Sequence, residues 1–226
     1  MSKKIYLTLF AIVILIVVSI FAFYLLSSPQ RIPTTVTAGV KVGDVFTYQM
    51  VGFADSYTEF DVPANFVDVN KTDYYRIEIT KVDTPIISYT ETWQFKNGTK
   101  FSYDNMVNIE NGLYANRNNF WPIYASDLTQ GSLSRPGNSD EPTVSDTQLK
   151  PYPDGDREIN FIRYEYDLYD PTDMTYTKTC YVNEYVHFDS QTGMVVEYNI
   201  IQIYNSPQIM LTVEHKLISS NAIKIS

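Results

Sequence analysis

The sequence predicts a mainly β protein: a curved antiparallel sheet, closed as a half-barrel or a sandwich, with one or two short helices. A single transmembrane helix precedes it. Two observations carry this prediction. An uncharged apolar run occupies residues 5–26, and apolar residues alternate with polar ones through most of the chain after residue 43.

Residues 5–26 predict a membrane anchor. At about 1.5 Å rise per residue the run spans roughly 33 Å, which is enough to cross a hydrocarbon core about 30 Å thick. A cleavable signal peptide has a shorter apolar core and small residues before its cleavage site. Here bulky side chains fill that place up to Leu26, although cleavage after Ser27 or Ser28 stays the alternative.

The flanking charges predict the orientation. Lys3 and Lys4 precede the apolar run and only Arg31 follows it closely, so the positive-inside rule keeps residues 1–4 in the cytoplasm. Residues 27–42, with two prolines, then read as an extended stalk. The prediction is therefore a single-pass protein of the cell membrane with an extracytoplasmic β domain over residues 43–226.

Alternation with period two marks the strands. It begins at Phe46, Tyr48 and Met50 and returns late in the chain, where Cys180, Val182 and Val186 share one face. Turn residues separate the runs. Asn97-Gly98 predicts a tight turn, and residues 189–193 predict a hairpin loop in which Gly193 adopts a positive φ.

Two stretches give weaker signals. They are residues 53–72, which have no clear period, and residues 102–158. Within the second stretch, residues 121–128 predict one short helix with Pro122 near its start. Residues 129–158 are rich in Gly, Pro, Ser and Asp, which predicts long loops.

Charge and cysteine content exclude several functions. The formal net charge is −9, and the exported part is more acidic still because Lys3 and Lys4 precede the anchor. This balance argues against nucleic acid as a partner. The single Cys180 cannot form an internal disulfide or a multi-cysteine zinc site, and its strand position predicts a small buried side chain.

Asn70 and Asn97 each begin a glycosylation sequon.

Three polar residues interrupt otherwise apolar strand faces: Glu91, Glu184 and His215. A buried carboxylate is costly unless it is paired, so these residues are candidate ligand contacts within an apolar pocket. The simpler interpretation places each of them at a strand end, at a bulge, or in a bond to a neighbouring tyrosine.

No catalytic, cofactor or metal site is predicted. The chain has no nucleophile elbow, phosphate-binding loop or zinc-protease motif, and Cys180 and His187 point to opposite faces of a strand. The acidic run 154–158 offers oxygen ligands for Ca²⁺, but Arg157 opposes a cation, and a solvated turn is the better interpretation.

Four motifs stand out: residues 42–48 (VGDVFTY), 120–131 (FWP and LTQG), 157–160 (REIN) and 185–197 (YVHFDSQTGMVVE). Together they resemble a group of uncharacterised archaeal membrane-anchored exported β-rich proteins. This resemblance implies no activity. The hairpin at 189–193 is also similar to one in lipoprotein carriers of the LolA type. That similarity implies a curved sheet with an apolar concave face.

Three functions stay open on the sequence. The first is a membrane-tethered binding or interaction domain that contacts envelope proteins, glycans or solutes. The second is a binder of lipid or another apolar ligand, and the third is a hydrolase that uses paired carboxylates.

Overall fold

The computed structural model describes residues 36–56, 64–113, 120–169, 178–205 and 208–225. The predicted anchor at 5–26 lies outside these ranges, as does most of the predicted stalk. Within them, no helix has the length and apolar character that a bilayer crossing requires.

Nine strands and one short helix form the regular structure of the described residues. Their order is β1 (Val45–Ser56), α1 (Ala64–Asn70), β2 (Thr72–Asp83), β3 (Ile86–Phe95), β4 (Lys100–Asn108), β5 (Asp146–Tyr152), β6 (Gly155–Tyr169), β7 (Lys178–Asp189), β8 (Val195–Asn205) and β9 (Gln208–Ser220). The predicted mainly β class is confirmed.

All nine strands belong to one antiparallel sheet with the order β4-β3-β2-β1-β9-β8-β7-β6-β5. Strands β1 to β4 form one meander and β5 to β9 form a second. The two meanders meet where β1 pairs with β9, from Phe46 opposite Ser220 to Ser56 opposite Ile209. Because β4 and β5 lie at opposite edges, the connection 109–145 must pass from one edge of the sheet to the other.

The predicted alternation produces one buried face. Phe46 and Tyr48 on β1, Ile77 on β2 and Val182 on β7 are all inaccessible to solvent. Phe120, in the long connection, packs on the centre of this face. Its ring lies 4.6 Å from His215, 5.3 Å from Tyr198 and 5.5 Å from Tyr48, measured between ring centroids. The long connection therefore supplies the second layer of the core.

The helix predicted at 121–128 is wrong. This segment is irregular, because its backbone bonds to the neighbouring chain and not to its own next turn. Val195 N donates to Pro122 O, Tyr124 N donates to Gly193 O, and Ile123 forms an isolated bridge with Met194.

The described helix lies instead at Ala64–Asn70, in a stretch without a clear period. The loop predicted over 129–158 is also partly wrong, since it contains β5 and the beginning of β6.

Both predicted turns are confirmed. Gly98 has a φ of 86° and Gly193 a φ of 73°, in the region that favours glycine. In the second turn, the buried Asp189 accepts hydrogen bonds from the Thr192 amide at 2.9 Å and from its hydroxyl at 2.8 Å. Arg157 donates to the same carboxylate at 3.1 Å. These bonds explain why this hairpin carries Asp and Thr three residues apart.

Candidate functional site

A groove of about 490 Å³ lies on the face of the sheet opposite the core, across β5 to β8. We call it the outer-face groove and define it by the side chains of Asp146, Gln148, Phe161, Tyr185, His187, Glu197 and Asn199. The strand register places six of these side chains in two rows, and Gln148, opposite Ile159 on β6, lies outside both. Asp146 lies opposite Phe161, Phe161 opposite His187, and His187 opposite Glu197. Tyr185 lies opposite Asn199 in the next row.

Aromatic rings form the floor of the groove. The Phe161 and Tyr185 rings are nearly parallel, with an angle of 9° and centroids 6.2 Å apart. The Phe161 and His187 rings are 4.8 Å apart and tilted by 30°. The Arg163 guanidinium lies 5.4 Å from the Tyr185 ring centroid. These contacts hold the rings in fixed positions on paired strands.

Polar groups surround the rings. Asp146 accepts hydrogen bonds from the Thr147 amide at 2.9 Å and from Gln148 Nε2 at 2.8 Å. Within the described ranges, His187 Nδ1 and Asn199 Oδ1 are buried without a hydrogen-bond partner. Burial lowers the pKa of His187, an effect that Glu197 opposes and Lys150 reinforces, so the imidazole is neutral near pH 7.

Sequence reasoning missed this groove. It placed His187 on the face of β7 opposite the buried Cys180, and the side chains of His187 and Tyr185 are both half-buried on that face. The sequence feature that could have indicated the groove is the cluster of aromatic residues on this otherwise polar face, since several large rings together on a solvent face are typical of a contact site.

Two of the three predicted ligand contacts, Glu184 and His215, lie near each other on the core face of the sheet, opposite the groove. Glu184 accepts hydrogen bonds from the hydroxyls of Tyr166 and Tyr198. The Tyr198 ring also lies 5.4 Å from the His215 ring. Tyr198 thus contacts both residues. Glu184 matches the predicted alternative of a bond to a neighbouring tyrosine, whereas His215 meets Tyr198 through a ring contact only.

Burial shifts the pKa values of both Glu184 and His215. It raises the pKa of Glu184, although the bonds from Tyr166 and Tyr198 oppose that rise. It lowers the pKa of His215 to about 3, so the imidazole is neutral at every ordinary pH. Within the described chain, His215 Nδ1 is buried without a hydrogen-bond partner.

Glu91 lies elsewhere on the sheet. It is 1% exposed, and Asn105 Nδ2 donates a hydrogen bond to its carboxylate at 3.2 Å. Strands β2 and β1 separate its strand β3 from β9. Glu91, Glu184 and His215 therefore do not form one cluster, and their role as ligand contacts stays a prediction.

An arginine that the sequence did not single out is fully buried in the long connection. The Arg135 side chain is 0% exposed, donates from Nη1 to Ile123 O at 2.7 Å, and stacks 4.0 Å from the Tyr124 ring centroid. Its Nε and Nη2 have no hydrogen-bond partner in the part of the chain that the structure describes. A buried cation with two unpaired donors is costly, so Arg135 is a strained element of the core.

The two sequon asparagines differ in their side-chain bonds. Asn70 Oδ1 accepts from Gly52 N at 2.9 Å, and its Nδ2 donates to Gly52 O at 2.8 Å. Asn97 is exposed, and its Oδ1 accepts from Thr99 N at 2.9 Å. Since glycans attach to the amide nitrogen, Asn97 is the better predicted site of the two.

In the acidic run 154–158, Arg157 pairs with one of the three carboxylates of the run and with one outside it. Arg157 bonds to Asp154 at 2.9 Å and to Asp189 at 3.1 Å. The hydrogen bond from Arg157 lowers the pKa of Asp154. Among the residues described, no cluster of His, Cys, Asp and Glu has the arrangement that would hold a metal ion. Cys180 is buried, as predicted.

No protein-family model matches the chain, and no curated protein matches it either. Function must therefore be inferred from the residues and their geometry.

Proposed function

We propose that this chain is a membrane-tethered extracytoplasmic binding domain that takes its ligand in the outer-face groove. This proposal rests on the groove, because the groove combines paired aromatic rings with several polar side chains. The uncharged run at 5–26, with Lys3 and Lys4 before it, supports the tether and its orientation.

We further propose that the sheet curves around the long connection as a half-barrel. Phe120 supports this, because its ring lies within 5.9 Å of rings on four neighbouring strands, β2, β1, β9 and β8. The same contacts weigh against an apolar ligand on this face. A lipid entering here would have to displace Phe120 from His215 and Tyr198.

The spacing of the groove's carboxylates weighs against a hydrolase. Asp146 lies on β5 and Glu197 on β8, at the two ends of one row. At about 4.8 Å between strands, their backbones are roughly 14 Å apart. Paired glycosidase carboxylates lie about 5–9.5 Å apart. The row therefore suits binding better than two-carboxylate catalysis.

Mass spectrometry of co-purifying material tests the proposed function. The full-length chain is purified in detergent from envelope membranes as wild type, as the Phe161→Ala/Tyr185→Ala double variant, and as the control Tyr103→Ala. Tyr103 is 54% exposed on β4, at the opposite edge of the sheet. We expect a species that accompanies the wild type and the control and is lost from the double variant. The same co-purifying material in all three preparations would contradict a ligand site in the groove.

A further inference from the structure

We propose that the ligand of the outer-face groove is a neutral saccharide whose pyranose rings pack on Phe161 and Tyr185. This inference rests on the proposed function and specifies its ligand class. Two features support it: the hydrogen-bond donors and acceptors that line the groove, and the signs of the charges around it.

Only side chains can meet the polar groups of a ligand on the floor of the groove. Strands β6, β7 and β8 are paired on both sides, so their backbone donors and acceptors are already used. An extended peptide, which binds mainly through its backbone, finds no such partners on that floor. On that floor the ligand must instead match amide, imidazole and carboxylate groups.

The groups at the groove match hydroxyls. Gln148 offers a donor and an acceptor, Asn199 offers its Nδ2 donor, neutral His187 offers Nε2, and Glu197 only accepts, whereas Asn199 Oδ1 and His187 Nδ1 are buried. A hydroxyl both donates and accepts, so it pairs with every one of these groups. The C–H faces of a pyranose ring supply the apolar contact that Phe161 and Tyr185 need.

The charges around the groove favour a neutral ligand. Asp146 and Glu197 repel an anion in a chain that already has a formal net charge of −9. Lys150 acts electrostatically on His187, and Arg163 lies over Tyr185, so these two cations offset the attraction of Asp146 and Glu197 for a cationic ligand. Because the two signs offset each other at the groove, a polar molecule without net charge suits it better than either kind of ion.

Saturation-transfer NMR with defined oligosaccharides tests this inference on the full-length chain in micelles. The neutral probes are cellotetraose, maltotetraose and triacetylchitotriose. Trigalacturonate is the anionic probe and unacetylated chitotriose the cationic one. We expect a neutral probe to bind with saturation concentrated on its ring C–H protons. Affinity should fall at least about tenfold in Phe161→Ala/Tyr185→Ala and stay unchanged in Tyr103→Ala.

A milder variant keeps the test valid if the double variant does not fold. Gln148 is exposed, and Gln148→Ala removes a hydroxyl partner without opening the core, so it should weaken the neutral probe several-fold.

Three results overturn the inference. They are failure of all three neutral probes, binding of a charged probe alone, and neutral binding that is equal in wild type and double variant. If the saccharides fail while a groove-dependent species still co-purifies, only the ligand class is wrong. If no groove-dependent species is found either, the proposed function fails with it.

Discussion

His215 should make the domain unstable in acid. Its folded pKa of about 3 lies below the ordinary value of 6.5, because the ring is buried between Phe120, Tyr75 and Tyr198. Between these two values the unfolded chain binds a proton that the folded chain does not. Stability therefore decreases as the pH falls from 6.5 towards 3, and it is complete only above 6.5.

The magnitude follows from linkage. Once the unfolded imidazole is mostly protonated, each further pH unit removes about 1.4 kcal/mol. Because only half of it is protonated at pH 6.5, acidification from pH 6.5 to about 4.5 removes roughly 2 kcal/mol from the free energy of unfolding. Glu184 acts in the opposite sense, because its raised pKa stabilises the protonated folded form in acid. A comparison with a His215 variant is therefore needed, since Glu184 contributes equally to both proteins.

The assay compares wild type with His215→Phe, which keeps an aromatic ring against Phe120 and cannot titrate. Urea unfolding of the full-length chain in micelles, followed by near-ultraviolet circular dichroism, gives the free energy of unfolding at pH 6.5 and 4.5. We expect wild type to lose about 2–3 kcal/mol more than His215→Phe over this interval. An equal loss in the two proteins would refute the assignment of a neutral, desolvated His215.

Three further substitutions test the core and the hairpin by the same unfolding assay. Arg135→Met removes a desolvated charge and keeps the packing, so it should be at least as stable as wild type and at least about 2 kcal/mol more stable than Arg135→Ala, which leaves a cavity. A Met variant clearly less stable than wild type would contradict the strained arginine. Asp189→Ala should cost about 3 kcal/mol, because it leaves Arg157 and Thr192 without their shared acceptor, and a cost below about 1 kcal/mol would show that the hairpin does not depend on it. Gly193→Ala should cost more than about 2 kcal/mol, because φ is 73° and an added Cβ would lie 2.2 Å from Tyr124 O; a neutral effect would exclude that close approach.

Strands were predictable where one face is buried. Period-two alternation identified β1, β7 and β8 because half of each strand packs on the core. Strand β5 was missed because it lies at the sheet edge, carries Pro151 and has no buried side chain, so its sequence resembles a polar loop. Helix α1 was missed because seven residues are too few to establish a period.

The error at 121–128 has a tertiary cause. Pro122 near the start of an apolar run is typical of a helix, but the backbone of this segment bonds to residues 190–195. Local sequence carries no information about that neighbouring chain.

The candidate site could be predicted only in part, because it too depends on contacts between distant segments of the chain. Strand parity correctly put Glu184 and His215 on an apolar face, and both are buried. Their meeting through Tyr198 depends on the register of β7, β8 and β9, which residue types alone do not determine. The groove depends on the register of four strands, so no single segment revealed it.

Hydroxyl-radical footprinting tests the central claim, ligand binding in the groove, most directly. The full-length chain in micelles is oxidised with and without a saccharide extract of the cell envelope, and protection is read peptide by peptide. We expect protection at Phe161 and at Tyr185 to His187, with no change at the exposed Phe101 and Tyr103 of β4. Protection at Phe101 and Tyr103 with none in the groove would contradict the claim.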